Sequence, residues 1–171
     1  MKSLKDPLDA LYRRPGVMIR RAHQISVSLF LEETGGLGIT NRQYGILTVL
    51  RHRPGIDQIT VAKMLGLDRS TAGMVLNKLE RDGLVGRVVG PKDRRTRSLK
   101  LTPAGERMLD RLAAPAKRAE RRVLSAFSPR ERKVFLDLLD KFARRFNDTT
   151  RVPQMADRPA PKAQGGRKKR N

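Results

Sequence analysis

The 171-residue chain has no cysteine and no tryptophan, and only two tyrosines, five phenylalanines and two histidines. The missing thiols exclude disulfides, thiol redox chemistry and cysteine-ligated zinc or iron–sulfur centres. His23 and His52 are too few for a histidine metal cluster within one chain. No apolar run approaches the roughly 20 residues that span a bilayer. Met1–Asp6 lacks the apolar stretch of a signal peptide. No nucleophile–base pair and no glycine-rich phosphate loop stands in the sequence. The expectation is a soluble, cytoplasmic, nucleoid-associated protein that is not an enzyme and holds neither metal nor cofactor.

Acidic residues are also scarce: 17 Asp and Glu face 38 Lys and Arg, a net charge of +21. A surplus of this size implies a polyanionic partner or an anionic membrane surface. It is not confined to one end. From Arg151 onward seven basic residues and one acid give +6, so the first 150 residues still carry +15. The folded part is itself strongly basic.

What is present is a chain of helix signals. Residues 1–16 read as a short arm with Leu4, Leu8, Leu11 and Tyr12 at helical spacing. Val17–Thr34 comes next as a helix striped with Met18, Ala22, Ile25, Leu29 and Phe30. Gly35–Gly38 stops it. Thr40 and Gln43 form a capping box for Asn41–Arg51. Then come two short helices, Ile59–Leu65 and Arg69–Arg81, joined by the tight turn Gly66-Leu67-Asp68. Asp68 is placed to cap the second, and Gly83 to close it in a left-handed conformation. Leu84–Val89 and Ser98–Leu101 read as two strands around a basic loop, Gly90–Arg97. Thr102 and Pro103 open a helix running to about Ala126, with Pro115 as a place for a bend. Ser128 and Glu131 cap the last helix, which carries Val134, Phe135, Leu138, Leu139, Phe142 and Phe146 on one face. Beyond Thr150 composition predicts a disordered basic tail.

These elements imply a fold that is mainly α with a small β-hairpin wing: a winged helix-turn-helix lobe plus a helical dimerisation base. The domains expected are an N-terminal arm and first dimerisation helix (1–40), the lobe (41–102), C-terminal dimerisation helices (103–150) and the tail (151–171). A recognition helix enters the major groove with its N-terminal residues on base edges. Here those are Arg69, Ser70, Thr71, Gly73 and Met74, with Ala72 and Gly73 keeping the helix slim against DNA. Arg pairs with guanine, and Ser and Thr bond bases or phosphates. Asn77 and Lys78, further along, suit the DNA backbone. The loop residues Lys92, Arg94, Arg95 and Arg97 surround Asp93 and suit phosphates or a narrow minor groove.

The stretch Ile59–Glu106 resembles the MarR family of bacterial transcription regulators. The resemblance rests on Ala62–Leu67, on Asp68-Arg69-Ser70-Thr71, on Leu79-Glu80-Arg81-Asp82-Gly83-Leu84-Val85, and on Asp93-Arg94-Arg95 with Leu101-Thr102-Pro103-Ala104-Gly105 after it. It is traceable over roughly residues 8–146. It implies an obligate homodimer whose terminal helices intertwine, two recognition helices on a pseudo-palindromic duplex site, and most often a repressor released by a small aromatic ligand. The family's wing aspartate falls on Asp93 and its wing arginine on Arg94 or Arg95.

The apolar stripes of the first and last helices support the dimer independently. Family likeness also implies a ligand pocket between dimer base and lobe. Arg20, His23, Gln24 and Val27 would meet Tyr44 and Leu47 there, near Arg51 and His52. Pro15–Gln24 is similar to members controlling aromatic-acid catabolism, so a hydroxylated benzoate or nicotinate-type carboxylate is the expected effector. The alternative is a constitutive architectural DNA-binding protein without a ligand. The basic tail is expected to add non-specific DNA affinity.

Overall fold

The structure, a computed structural model, describes residues 8–89, 97–150 and 152–155, with backbone only for Val88, Val89 and Arg97. Among the described residues seven α-helices and one hairpin succeed one another: α1 (Asp9–Tyr12), α2 (Pro15–Thr34), α3 (Asn41–His52), α4 (Gln58–Leu65), α5 (Arg69–Arg81), β1 (Val85–Val89), β2 (Arg97–Leu101), α6 (Pro103–Leu124) and α7 (Pro129–Arg145). A short 3-10 turn, Asn147–Thr149, comes after α7. The architecture is the expected one, mainly helical with a β-hairpin wing.

The helix ends explain themselves chemically. Helix termini leave backbone N–H and C=O groups without intrahelical partners. At α3, Thr40 Oγ1 accepts from the amide of Gln43 at 3.3 Å, and Gln43 Oε1 accepts from the amide of Thr40 at 2.8 Å. Ser128 and Glu131 repeat this reciprocal box at α7, whereas Asp57, Asp68 and Thr102 cap α4, α5 and α6 by accepting from the amide three residues on. α5 ends in a Schellman arrangement: the Gly83 amide donates to the Glu80 carbonyl and the Leu84 amide to that of Leu79, both at 2.9 Å. Gly83 has φ +71°, which a side chain would strain. α2 starts two residues earlier than the apolar stripe suggests, because Pro15 suits a first helical turn. α6 continues through Pro115 to Leu124.

One core holds the lobe. Ile46, Leu47 and Leu50 of α3, Val61 of α4, Leu76 and Leu79 of α5, Leu99 of β2 and Leu112 of α6 are wholly buried in it. Burying each such side chain contributes about 1.5–3 kcal/mol. The hairpin pairs antiparallel with Val85 opposite Leu101 and Arg87 opposite Leu99. Leu99 has a second neighbour: its carbonyl accepts from the Gly55 amide at 2.8 Å and its amide donates to Ile56 at 2.9 Å. This extra rung is invisible in the sequence, where Pro54 and Gly55 read only as a turn.

A second, smaller cluster joins α2 to the far half of α6 through Phe30, Ala116 and Ala119. Glu33 fastens the same pair of helices, with Arg118 at 2.7 Å and Arg122 at 3.1 Å. These guanidinium hydrogen bonds, Arg118 first, hold its carboxyl below the usual glutamate range. α6 thus serves two clusters: Leu109 and Leu112 lie in the lobe core, Ala116 and Ala119 in the smaller cluster with Phe30. The boundary expected at residue 103 falls inside the packing rather than between units. α7 contributes no buried residue.

Two further differences concern the ends. Leu4 and most of the tail lie outside the described residues. Val152–Met155, expected to have no fixed contacts, is hydrogen-bonded to α4 and to Asn147. Composition registers neither the C-terminal carbonyls of α4 nor the carboxamide of Asn147 that hold it.

Candidate nucleic-acid interface

α4, the turn and α5 set the geometry. Asp57 accepts from the Thr60 amide at 2.8 Å and Asp68 from the Thr71 amide at 2.8 Å, so each helix carries a carboxylate cap. Gly66, at φ +62°, makes the turn. α5 then buries Ala72, Leu76 and Leu79 and leaves Ser70, Met74, Asn77 and Arg81 as one exposed row. Met74 is 67% exposed, a large apolar side chain held in solvent. Arg69 and Lys78 flank the row and are also exposed.

The expected readers fall into two groups. Arg69, Ser70 and Met74 are accessible at the N-terminal half of α5. Thr71 is half-buried, and its hydroxyl donates to Asp68 at 2.5 Å, which leaves it an acceptor only. That bond, and after it the Thr71 amide, lowers the Asp68 carboxyl below the usual aspartate range. Ala72 corrects the expectation of a small residue against DNA: it is wholly buried and faces the core. Gly73 is small for a different neighbour. A Cβ there would stand 3.1 Å from Nε2 of Gln58, the first residue of α4. The same Nε2 reaches the carbonyl of Arg69 at 3.5 Å.

Asn77 and Lys78 have protein partners. Lys78 pairs with Asp82 at 3.0 Å. Asn77 Oδ1 accepts from Nη2 of Arg87 at 3.0 Å, and Arg87 Nε pairs with Glu80. Arg87, in β1, is a residue that sequence reasoning misses; it ties wing to recognition helix. The signal that could reveal it is the alternation Val85, Arg87, Val89, which puts a charge among apolar neighbours. Lys92, Asp93, Arg94, Arg95 and the side chain of Arg97 lie outside the described residues.

The six residues expected to form a ligand pocket do not share one cavity. His23 and Val27 line a cavity of about 480 Å³ with Thr40, Arg42, Met74, Val75 and Lys78. Arg20 and Gln24 line another, beside Tyr12 and Met18. Tyr44 faces a groove of about 450 Å³ between α6 and α7 and meets Phe30 at a ring distance of 5.5 Å. Leu47 is wholly buried in the lobe core, because α3 turns that face toward α5 and β2. Arg51 is occupied by Glu106 at 3.0 Å and Asp110 at 2.5 Å, so it is spent on α6. Among the described residues no group of three acidic or imidazole side chains is placed to hold a metal. Among them, too, no helix is long and apolar enough to cross a membrane.

Residues 37–96 match the MarR family profile. The chain is 34% identical, over 112 residues, to the regulatory protein proposed for the hcr operon of Thauera aromatica; the match spans 66% of this chain and 68% of the relative. The PcaV transcriptional regulator from Streptomyces coelicolor, solved with its natural ligand, superposes with a TM-score of 0.73 at 36% identity, over 78% of this chain and 94% of that one. BpsR of Bordetella bronchiseptica, whose DNA binding is regulated by 6-hydroxynicotinic acid, superposes equally with a TM-score of 0.73. The identity there is 26%, over 77% and 94% of the two chains.

Proposed function

The chain belongs to the MarR family of DNA-binding transcription regulators, and from that premise we propose that it is a homodimeric cytoplasmic repressor of a local operon. A small aromatic carboxylate releases it from a pseudo-palindromic site. Arg69, Ser70 and Met74 read bases in the major groove, and Lys92, Arg94, Arg95 and Arg97 grip phosphates. Residues 1–40 with the distal half of α6 and α7 form the dimer base.

The observation that carries the ligand reading is the cavity at His23. One wall is α2, with His23 and Val27; the opposite wall is the recognition helix, with Met74, Val75 and Lys78. Its volume, about 480 Å³, is in the range of small-molecule sites. Val27, Met74 and Val75 offer apolar surface to a ring, while His23 and Arg42 offer donor groups to a carboxylate. A ligand bound there touches the base and the DNA-reading helix together, so it shifts the angle between them. That is a differential contact of the kind a switch requires. The regulation of BpsR by 6-hydroxynicotinic acid supports the same ligand class.

Anisotropy of a labelled operator duplex, titrated with hydroxybenzoates and 6-hydroxynicotinate, tests the reading. At least one acid should weaken binding, and His23→Ala should blunt that response while leaving ligand-free binding intact. Silence across the panel would sink the ligand assignment.

A further inference from the structure

We infer that Met74 selects thymine at one position of each half-site, by packing on the 5-methyl group of the base in the major groove. The inference rests on the DNA-binding reading above and names what this residue of the recognition helix recognises.

Placement comes first. α5 turns Ala72, Leu76 and Leu79 into the core, so Ser70, Met74, Asn77 and Arg81 stand out on the opposite face. Met74 lies about one helical turn beyond Ser70 and one before Asn77, in the middle of that row. It is the apolar member of an otherwise polar row, and its unbranched side chain has three rotatable bonds with which to fit a neighbour. The hydrogen-bonding groups around it are committed elsewhere. The Thr71 hydroxyl donates to Asp68 at 2.5 Å, the carboxamide oxygen of Asn77 accepts from Arg87 at 3.0 Å, and the Lys78 ammonium pairs with Asp82 at 3.0 Å. Gly73 has no side chain to offer. The middle of the recognition helix therefore presents an apolar surface to the groove.

The chemistry of that surface narrows the choice of base. A thioether donates no hydrogen bond and accepts only weakly. It has nothing to give a phosphate oxygen, the N7 and O6 acceptors of guanine, or the amino groups of adenine and cytosine. Thymine alone carries an apolar group in the major groove, its C5-methyl. Packing Met74 on that methyl removes both from water. Against the other bases the same approach strips water from polar edges and returns no hydrogen bond. Burying one methyl group corresponds to a factor of about three to five in affinity, so the preference is modest at one position and is felt again in the second half-site.

The test uses a labelled duplex recovered by the full chain from a random-sequence pool. Each thymine of the recovered sequence is replaced in turn by deoxyuridine, which lacks only the 5-methyl group. At one position per half-site the replacement should weaken binding by the full chain about three- to fivefold. Met74→Ala should bind the thymine and uracil duplexes equally. Met74→Leu, apolar and of similar volume, should keep the preference. The side chain is exposed, and Ala and Leu both favour a helix, so both variants should fold as the parent does. A full chain indifferent to every replacement, or a preference that survives in Met74→Ala, would overturn the inference and leave DNA binding intact. Recovery of no preferred sequence from the pool would instead overturn the base-reading role of α5 on which the inference rests.

Discussion

Gly105 lies so close beneath the carbonyl oxygen of Leu84 that no side-chain carbon fits between them. Thr102 completes the joint: its amide donates to the Leu84 carbonyl at 3.1 Å, and its hydroxyl to that of Gly83 at 2.6 Å. Two separate family signatures, Asp82-Gly83-Leu84 and Leu101-Thr102-Pro103-Ala104-Gly105, are therefore halves of one contact. It fixes the exit of the recognition helix against the start of α6.

Gly105→Ala should accordingly destabilise the fold. The obstacle is backbone, which cannot swing aside, so the cost should sit near the upper end of the roughly 1–3 kcal/mol seen on overpacking. Urea unfolding checks this. Affinity for DNA, measured where the variant is still folded, should change far less than stability does. A variant as stable as the parent would show that the Leu84 peptide moves freely.

Arg87 should act on DNA binding without needing to touch DNA. Its pairing with Glu80 and Asn77 joins β1 to α5 across the wing. The Arg87 and Glu80 side chains are about a quarter exposed, so the pair is less screened than a surface ion pair. Arg87→Ala should weaken operator binding about five- to tenfold, which corresponds to roughly 1–1.4 kcal/mol. Arg87→Lys should restore the charge but not the fork that reaches both partners, and so recover only part of the loss. Equal affinity in Arg87→Ala would show that the wing holds its place unaided.

The elements were legible because their signals are local. Thr40 with Gln43, Asp68 with Thr71, and Ser128 with Glu131 are caps whose partners lie three residues away. Long-range relations were not legible. Nothing near Leu47 tells that α3 turns it into the core while Tyr44, three residues earlier, faces a groove. Ala72 and Gly73 look alike as small residues on a DNA-facing helix, yet one meets the core and the other Gln58. The residues expected in one pocket are distributed over several cavities for the same reason. Helical spacing groups Arg20, His23, Gln24 and Val27, but which of them faces the recognition helix depends on the crossing of α2 over the lobe.

The aspartate caps predict a sign for pH dependence. Asp57 is held low chiefly by the Thr60 amide and Asp68 chiefly by the Thr71 hydroxyl, each below its ordinary value of 3.8. A carboxyl depressed by folding adds stability that is fully present above the unfolded value and is lost as pH falls through the folded one. The parent should therefore be more stable than Asp57→Asn and Asp68→Asn at neutral pH. The gap should close as pH drops below about 3.8. Asn also caps helices, so the comparison isolates the charge. Thermal melts across the acid range check it; a gap that persists unchanged in acid would assign the effect to shape.

α7 should hold the dimer together. It buries nothing within its own chain, while Val134, Leu138 and Phe142 are each half exposed or more. Phe135, Leu136 and Leu139 look onto a groove beside Ala119 and Val123 of α6. An amphipathic helix with so much bare apolar surface needs a cover, and a second copy related by a two-fold axis brings the same surface to both sides. Charges on that surface would be buried without partners in the dimer but solvated in the monomer. Leu138→Glu with Phe142→Glu should therefore give monomers by sedimentation. The lobe core, to which α7 contributes no side chain, should remain folded by circular dichroism. A monomer engages one half-site at a time, so operator affinity should fall by about a hundredfold or more as avidity is lost. A variant that sediments as a dimer with parental affinity would show that α7 lies outside the interface, and the base would then have to be built from α2 and α6 alone.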